Sequence, residues 1–87
     1  MKDKLSVFFP EFLEDLSFGI NVENKTAARI IEIVNYVMRD PFRRIGKPEP
    51  LKHVGHDVWS RRITGEHRLV YVVLNDRIEF IQLRLHY

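Results

Sequence analysis

Acidic, basic and aromatic side chains in the second half of this sequence have the chemistry to cleave a phosphodiester without a metal. The first group surrounds Glu49, which stands between Pro48 and Pro50 with Lys47 and Lys52 close by. The prolines restrict the backbone on both sides of Glu49, and the lysines favour its anionic form. A carboxylate held in this way can act as a general base. The simpler interpretation is a rigid surface turn.

Arginines form the second group, on two predicted strands. Arg61 and Arg62 are adjacent, so one of them must lie on the polar face of its strand and the other on the opposite face. Arg68 opens the following strand and could lie close to them. Guanidinium groups bind phosphate through two parallel hydrogen bonds. The alternative is that these arginines form ordinary ion pairs with Glu66 or Glu79.

The third group is the pair His86-Tyr87, which follows a predicted strand. Histidine can act as a general acid near neutral pH, and tyrosine can stack on a base or donate a proton. Together the three groups suffice for cleavage of RNA. A base removes the 2′-hydroxyl proton, an arginine neutralises the charge of the phosphorane, and an acid protonates the leaving 5′-oxygen.

A metal site is the competing interpretation for one loop. His53, His56 and Asp57 have a conceivable ligand spacing, but they surround Gly55 and the sequence has no cysteine. We interpret the loop as not binding metal. The sequence also lacks a glycine-rich phosphate loop and a Gly-x-Ser-x-Gly motif, so we expect no cofactor.

Length and composition predict one small domain spanning residues 1–87, with 45% hydrophobic and 30% charged residues. The longest apolar run, Leu69 to Leu74, is too short to span a membrane. The first residues lack the apolar core of a signal peptide, so we expect a cytoplasmic protein. Residues 1–40 carry a net charge of −2 and residues 41–87 one of +4, which favours a polyanionic partner for the second half.

The hydropathy pattern predicts an α+β fold in which two helices pack on one face of an antiparallel sheet. Pro10 suits the first position of a short helix that Gly19 would end. Pro41 is expected to end the second helix, and residues 41–50 to form a loop. The predicted elements are a strand over Lys4–Phe9, the helix from Pro10, a helix over Thr26–Arg39, and strands over Val58–Ile63, Arg68–Leu74 and Ile78–Leu85.

Alternation assigns the faces of the predicted elements. In the second helix the apolar stripe consists of Ala27, Ile30, Ile31, Val34, Val37 and Met38. In the last strand the apolar set faces the helices and the polar set faces solvent or a ligand. The apolar set is Ile81, Leu83 and Leu85, and the polar set is Gln82, Arg84 and His86. The simpler interpretation is that Arg84 and His86 are ordinary polar side chains exposed to solvent.

These motifs resemble a known family. Residues 46–52, 59–63 and 66–71, together with His86-Tyr87, have the order and spacing of the YoeB (Txe) toxins within the RelE/ParE superfamily. The resemblance covers about half of the chain, residues 41–87. It implies a single RelE-like microbial ribonuclease domain with the element order βααβββ. It also implies the toxin of a type II toxin–antitoxin pair, a ribosome-dependent endonuclease that cuts the A-site codon and leaves a 2′,3′-cyclic phosphate.

The resemblance also implies roles for particular residues. Glu49 matches the general base, His86 the general acid, Arg68 the arginine that stabilises the transition state, and Tyr87 the tyrosine that orients the substrate. Phosphate contacts are expected from Lys47, Lys52, Arg62 and Arg84. The implied partners are a YefM-like antitoxin, the ribosome with its messenger RNA and, in a homodimer, a second copy. No metal, cofactor or membrane partner is expected, and no DNA binding by the toxin alone.

Two other functions fit the same fold. A ParE-like relative would poison gyrase, and a fold remnant would only pair with its antitoxin. Neither needs Glu49, Arg68 and His86 together, so their joint presence favours the nuclease. A ribonuclease active on free RNA is the third possibility, but so few basic contacts favour a substrate that the ribosome positions.

Overall fold

The structure, a computed structural model, describes residues 4–22, 24–42, 49–50, 57–64 and 67–83, with the backbone alone at positions 18–22, 49 and 64. It has two helices and five strands in the order βααββββ. They are β1 (Leu5–Phe8), α1 (Pro10–Val22), α2 (Asn24–Arg39), β2 (Glu49–Pro50), β3 (Val58–Thr64), β4 (His67–Val73) and β5 (Arg77–Gln82). This confirms the α+β class. Among the described residues, no helix is long and apolar enough to cross a membrane.

The helices begin and end close to their predicted positions, with one exception. α1 begins at Pro10, and near its start the amide of Leu13 donates a hydrogen bond to the carbonyl of Phe9. α2 ends at Arg39, two residues before Pro41, as predicted. The expectation that Gly19 ends α1 was wrong, because the helix continues to Val22. A glycine within a helix costs about 1 kcal/mol relative to alanine, which is not enough to terminate it here.

The sheet is mixed, which corrects the prediction of an antiparallel sheet. Its strand order is β1-β5-β4-β3-β2, and the neighbours from β2 to β5 are antiparallel, as predicted. β1 pairs with β5 in parallel, with Leu5 opposite Arg77 and Phe8 opposite Phe80. The alternation of apolar residues is the same in parallel and antiparallel strands, so the sequence pattern carries no information on this orientation.

A short strand lies within the segment that was predicted to be a loop. Glu49 pairs with Ser60 and Pro50 with Trp59, which makes β2 the edge of the sheet beside β3. Proline has no backbone N–H to donate, and an edge strand tolerates it because one side of the strand needs no partner. Pro50 therefore lies in an edge strand within a segment that sequence reasoning took for a loop.

The hydrophobic core lies between the helices and one face of the sheet. The helix contribution is the stripe Ile30, Ile33, Val34 and Val37, together with Phe12 from α1. Ile31, predicted to be in this stripe, is 46% exposed. The repeat of 3.6 residues favours Ile33 over Ile31 as the neighbour of Ile30 and Val34. The strands contribute Ile63, Leu69, Tyr71, Val73, Ile78 and Phe80, and Leu83, directly after β5, completes the set.

A bulge at the end of β5 changes which residues face the helices. Tyr71 is opposite Phe80, whereas Val70 is opposite Gln82, so β5 has an extra residue, Ile81, at this point. An extra residue reverses the face of everything that follows it. Leu83 is therefore buried against the core, as predicted, but Ile81 is only half-buried and its predicted place in the core was wrong. Leu85 lies outside the described residues.

Candidate active site

β3 separates the two adjacent arginines onto opposite faces of the sheet. Arg61 has no exposed surface and lies on the face that the helices cover, opposite Leu69 of β4. Arg62 is exposed on the other face, opposite Arg68. The question that the sequence left open is thus answered, because Arg62 is the one that joins the polar face. We call this surface, away from the helices, the site face.

Two arginine positions lie directly opposite each other on the site face. Arg68 is half-buried, and its Nε donates a hydrogen bond of 2.9 Å to the Oγ atom of Ser60. Arg62 occupies the directly opposite position on β3. Guanidinium groups bind phosphate through parallel hydrogen bonds, so these two positions are candidates for an anion-binding site.

The register places Glu49 beside these groups. Its backbone in β2 is directly opposite Ser60 of β3, the residue that accepts the hydrogen bond from Arg68. Ser60 is in turn opposite Val70, and Val70 is opposite Gln82. Directly paired residues share one face of a sheet, with Cα atoms about 5 Å apart. Positions 49, 60, 70 and 82 thus form a row across four strands, next to the pair of arginines.

The side chains at the centre of the site face are buried. Ser60 has no exposed surface and Val70 is 4% exposed, although neither belongs to the core under the helices. Gln82 is half-buried and Arg62 is exposed. The polar set of the last strand was expected to face solvent or a ligand, and Gln82, the member of that set that the structure describes, is half-buried on this face. Sequence reasoning assigned Ser60 no role, although its alternation with Arg62 on β3 placed the two on one face and was a usable signal.

Behind the site face, Arg61 holds the chain that leaves α2. Its Nη2 donates a hydrogen bond of 2.9 Å to the carbonyl of Pro41, which also accepts one of 2.6 Å from the Tyr71 hydroxyl. The guanidinium lies 5.5 Å from the ring centre of Tyr36 and 5.9 Å from that of Tyr71. Such contacts with aromatic rings stabilise a cation that has been removed from water. Arg61 therefore secures the start of the segment leading from α2 to β2.

This cluster contains a buried titratable group and two unsatisfied donors. Burial raises the pKa of the Tyr71 hydroxyl, and the charge and hydrogen bond of Arg61 partly offset the rise. Arg61 Nε and Nη1 are buried and have no hydrogen-bond partner in the part of the chain that is described. Sequence reasoning assigned Arg61 no role. The alternation Trp59, Arg61, Ile63 was the available signal, because it placed the arginine in phase with two apolar residues.

The remaining predicted site residues lie outside the described ranges. They are Lys47, Lys52, Arg84, His86 and Tyr87. His53 and His56, considered as metal ligands, lie outside them too, whereas Asp57 is exposed and has a φ of 60°. Within the described residues, no three metal-ligating side chains come together. Glu79, considered as a partner for the strand arginines, instead accepts a hydrogen bond from Arg77 at 2.9 Å.

Comparison with known proteins matches nearly the whole chain to one family. The model of the "YoeB-like toxin of bacterial type II toxin-antitoxin system" matches residues 8–87. The YoeB toxin of Mycobacterium bovis is 45% identical over 80 residues, which cover 92% of this chain and 94% of the relative. The match therefore includes the N-terminal half, beyond the residues 41–87 on which the resemblance in the sequence rested.

Solved structures agree with this match. The YoeB dimer of Staphylococcus aureus superposes with a TM-score of 0.87 and 33% identity, covering 99% of this chain and 100% of that one. The YoeB–YefM complex of the same organism gives a TM-score of 0.81 with the same identity and coverage. The archaeal RelE–RelB complex of Pyrococcus horikoshii, at 15% identity over 95% of this chain and 94% of that one, shares the fold with a TM-score of 0.67. The chain thus has a RelE-like fold and belongs to the YoeB-like toxins of bacterial type II toxin–antitoxin systems.

Proposed function

We propose that this toxin is a ribonuclease that cuts messenger RNA in the ribosomal A site without a metal ion. The observation that carries the proposal is the arrangement on the site face. Arg68 is hydrogen-bonded to Ser60, Arg62 is opposite Arg68, and the backbone of Glu49 is opposite Ser60. A carboxylate position next to two guanidinium groups provides a base and an anion-binding site for one phosphodiester.

The reaction is an attack of the RNA on itself. Glu49 accepts the proton of the 2′-hydroxyl, and the 2′-oxygen forms a bond to the adjacent phosphorus. Arg68 stabilises the negative charge that accumulates on the phosphorane oxygens. The bond from phosphorus to the 5′-oxygen then breaks, and His86 donates a proton to that oxygen. The products are a 2′,3′-cyclic phosphate and a free 5′-hydroxyl. Glu49 has gained one proton and His86 has lost one.

The other basic and aromatic residues would hold the substrate. Arg62, exposed on the site face, suits a contact with a neighbouring phosphate. Lys47, Lys52 and Arg84 are proposed to make further phosphate contacts, and Tyr87 to stack on a base of the codon. Each phosphate contact adds affinity that salt weakens, because binding releases counterions from the RNA. These residues therefore contribute to binding more than to the chemical step.

The ribosome is proposed to position the RNA. A net charge of +2 in 87 residues gives this protein little affinity of its own for a polyanion. A binding site that already holds the codon would supply the orientation that the toxin lacks, and correct orientation alone can contribute many orders of magnitude to a rate. We accordingly place the protein in the cytoplasm.

The proposed protein partners follow from the solved relatives. The S. aureus YoeB has been solved as a dimer and in complex with YefM. We propose a YefM-like antitoxin and a homodimer for this chain as well. Sedimentation velocity of the purified toxin over a range of concentrations tests the dimer. A sedimentation coefficient that stays at the monomer value up to about 100 µM, well above an ordinary micromolar dissociation constant, would contradict it.

The nuclease is tested in a translating extract. Purified toxin is added, and the 5′ ends of the message are mapped against the positions of ribosomes. We expect new 5′ ends within A-site codons in the presence of EDTA-washed toxin, and none on protein-free RNA. Intact A-site codons together with a supercoiling defect would instead identify a gyrase poison.

A pair of histidine variants assigns the acid. His86→Ala should lower the cleavage rate by about 10² to 10⁴-fold, the range typical of a lost general acid. His67→Ala is the matched control, because His67 is exposed at the start of β4 and has no role in the proposed reaction. Equal rates in the two variants would show that His86 is not the acid.

A further inference from the structure

Among the described side chains, Ser60 brings a hydroxyl to the centre of the site face, and the proposed reaction does not use it. Its side chain has no exposed surface, and its Oγ accepts the 2.9 Å hydrogen bond from Arg68 Nε. Its backbone is held on both sides, opposite Glu49 of β2 and opposite Val70 of β4. A short side chain on a strand that is paired on both sides has almost no freedom to move, so its hydroxyl is a fixed acceptor.

We propose that Ser60 is a positioning residue that sets the orientation of the Arg68 guanidinium toward the scissile phosphate. This inference rests on the proposed function. The guanidinium is planar, and its Nε and Nη atoms lie in that plane. A hydrogen bond from Nε to a fixed acceptor therefore determines the direction in which the edge with the two Nη atoms points. An arginine oriented before the phosphorane forms stabilises it without first having to reorganise.

In this proposal the Ser60 hydroxyl acts as an acceptor and not as a nucleophile. A serine attacks phosphorus only when a neighbouring base takes its proton. The partner of Ser60 Oγ is a guanidinium, which donates hydrogen bonds and has no lone pair with which to accept a proton. The hydroxyl is thus an acceptor for Arg68, and the 2′-hydroxyl of the RNA remains the attacking group.

Ser60→Ala should lower the rate of A-site cleavage about tenfold while leaving the affinity for ribosomes unchanged. The loss falls on the chemical step because Arg68 remains present but loses the Nε hydrogen bond that sets the direction of its Nη edge. Ser6→Ala is the matched control, since Ser6 is exposed on β1 at the opposite edge of the sheet. Ser60→Cys, nearly isosteric but with a weaker acceptor, should give a rate between those of the wild type and Ser60→Ala.

A double-mutant cycle separates positioning from general damage. If Ser60 acts through Arg68, Ser60→Ala costs about tenfold in the wild-type background and nothing in the Arg68→Ala background. A residue that merely supports the fold would cost the same factor in both backgrounds, and that result would overturn the proposal. No effect of Ser60→Ala in the wild-type background would overturn it equally.

NMR tests the orientation without any cleavage. The Arg68 Nε–H should give a separate resonance with slow solvent exchange in the wild type and in Ser60→Cys, and exchange at least tenfold faster in Ser60→Ala. Unchanged exchange in Ser60→Ala would refute the positioning. If the wild type cuts no message in the translating extract, the proposed function fails. The NMR result then still decides whether Ser60 orients Arg68, so the two failures can be distinguished.

Discussion

Two adjacent arginines of β3 have the same charge and opposite environments. Arg61 is buried against Tyr36, Tyr71 and the Pro41 carbonyl, whereas Arg62 is exposed on the site face. Removing a buried hydrogen-bonded group leaves a cavity and an altered polar network, and removing an exposed one leaves neither. The same substitution at the two positions should therefore have effects of different kinds.

Arg61→Ala should lower the free energy of unfolding by about 2 to 4 kcal/mol, because the cavity and the lost bond to Pro41 add together. Arg62→Ala should change it by less than about 0.5 kcal/mol, as is usual for surface substitutions. Chemical denaturation followed by circular dichroism measures both. Arg62→Ala should instead weaken cleavage in the translating extract, and its deficit relative to the wild type should shrink as salt is raised, because salt already weakens the phosphate contact that the variant lacks. Equal stability losses in the two variants would contradict the assignment of their faces.

Tyr71 makes the stability depend on pH in the alkaline range. Its folded-state pKa is raised by burial, so the folded protein holds the phenolic proton more tightly than the unfolded chain does. The resulting stabilisation is fully present below the unfolded pKa of about 10 and is lost as the pH rises through the folded pKa. Urea titrations between pH 8 and 11 should show a smaller loss of stability in Tyr71→Phe than in the wild type. Equal losses would indicate that Tyr71 does not titrate in this way.

At the scale of the elements, the bulge in β5 determines which residues reach the core. If β5 continued regularly through Ile81, with no bulge, Gln82 would lie on the helix side of the sheet and Leu83 on the site face. Burying an amide and exposing a leucine are both unfavourable. The bulge thus connects a regular strand to the segment that leads toward His86.

Deletion of Ile81 tests the bulge. The shortened chain should fold and be about as stable as Ile81→Ala, because Gln82 then follows Phe80 directly and still lies opposite Val70, which leaves Leu83 on the core side. Ile81→Ala is the control, since it keeps the extra residue and removes only a half-buried side chain; we expect a loss of about 1 kcal/mol in both variants. Thermal unfolding measures both proteins. A deletion variant that loses about 3 kcal/mol more than Ile81→Ala would show that the residues after position 81 need the extra residue to stay in phase with the core.

Local signals were enough to predict some elements and faces. Pro10 and Pro41 each mark a helix end because they act on the backbone next to them. The turn between β4 and β5 has a local signal too, the polar pair Asn75-Asp76, and the amide of Leu74 donates a hydrogen bond to the carbonyl of Arg77 across it. The phase of β3 was left open, although the alternation of Arg61 with Trp59 and Ile63 indicated it. The parallel pairing of β1, the extra residue Ile81 and the contact of Ser60 with Arg68 depend instead on residues far apart in sequence.

At the scale of the whole molecule, we expect residues 1–87 to unfold as one unit. The core includes residues from α1, α2, β3, β4 and β5, so no part of it can be removed without exposing the rest. Small domains of this length usually unfold in one cooperative transition. Scanning calorimetry should give equal calorimetric and van't Hoff enthalpies. A second transition, or a calorimetric enthalpy well above the van't Hoff enthalpy, would contradict a single domain.

The parallel pairing of β1 with β5 has a consequence for synthesis. Leu5 pairs with Arg77, which is translated 72 residues later. β1 therefore has no partner strand until β5 has been made. Pairing across so many residues slows folding and cannot begin while β5 is inside the ribosomal tunnel. We expect stalled nascent chains to resist protease at β1 only after β5 has emerged. A toxin built in this way completes its sheet, and with it the framework of the site, only after β5 has left the ribosome.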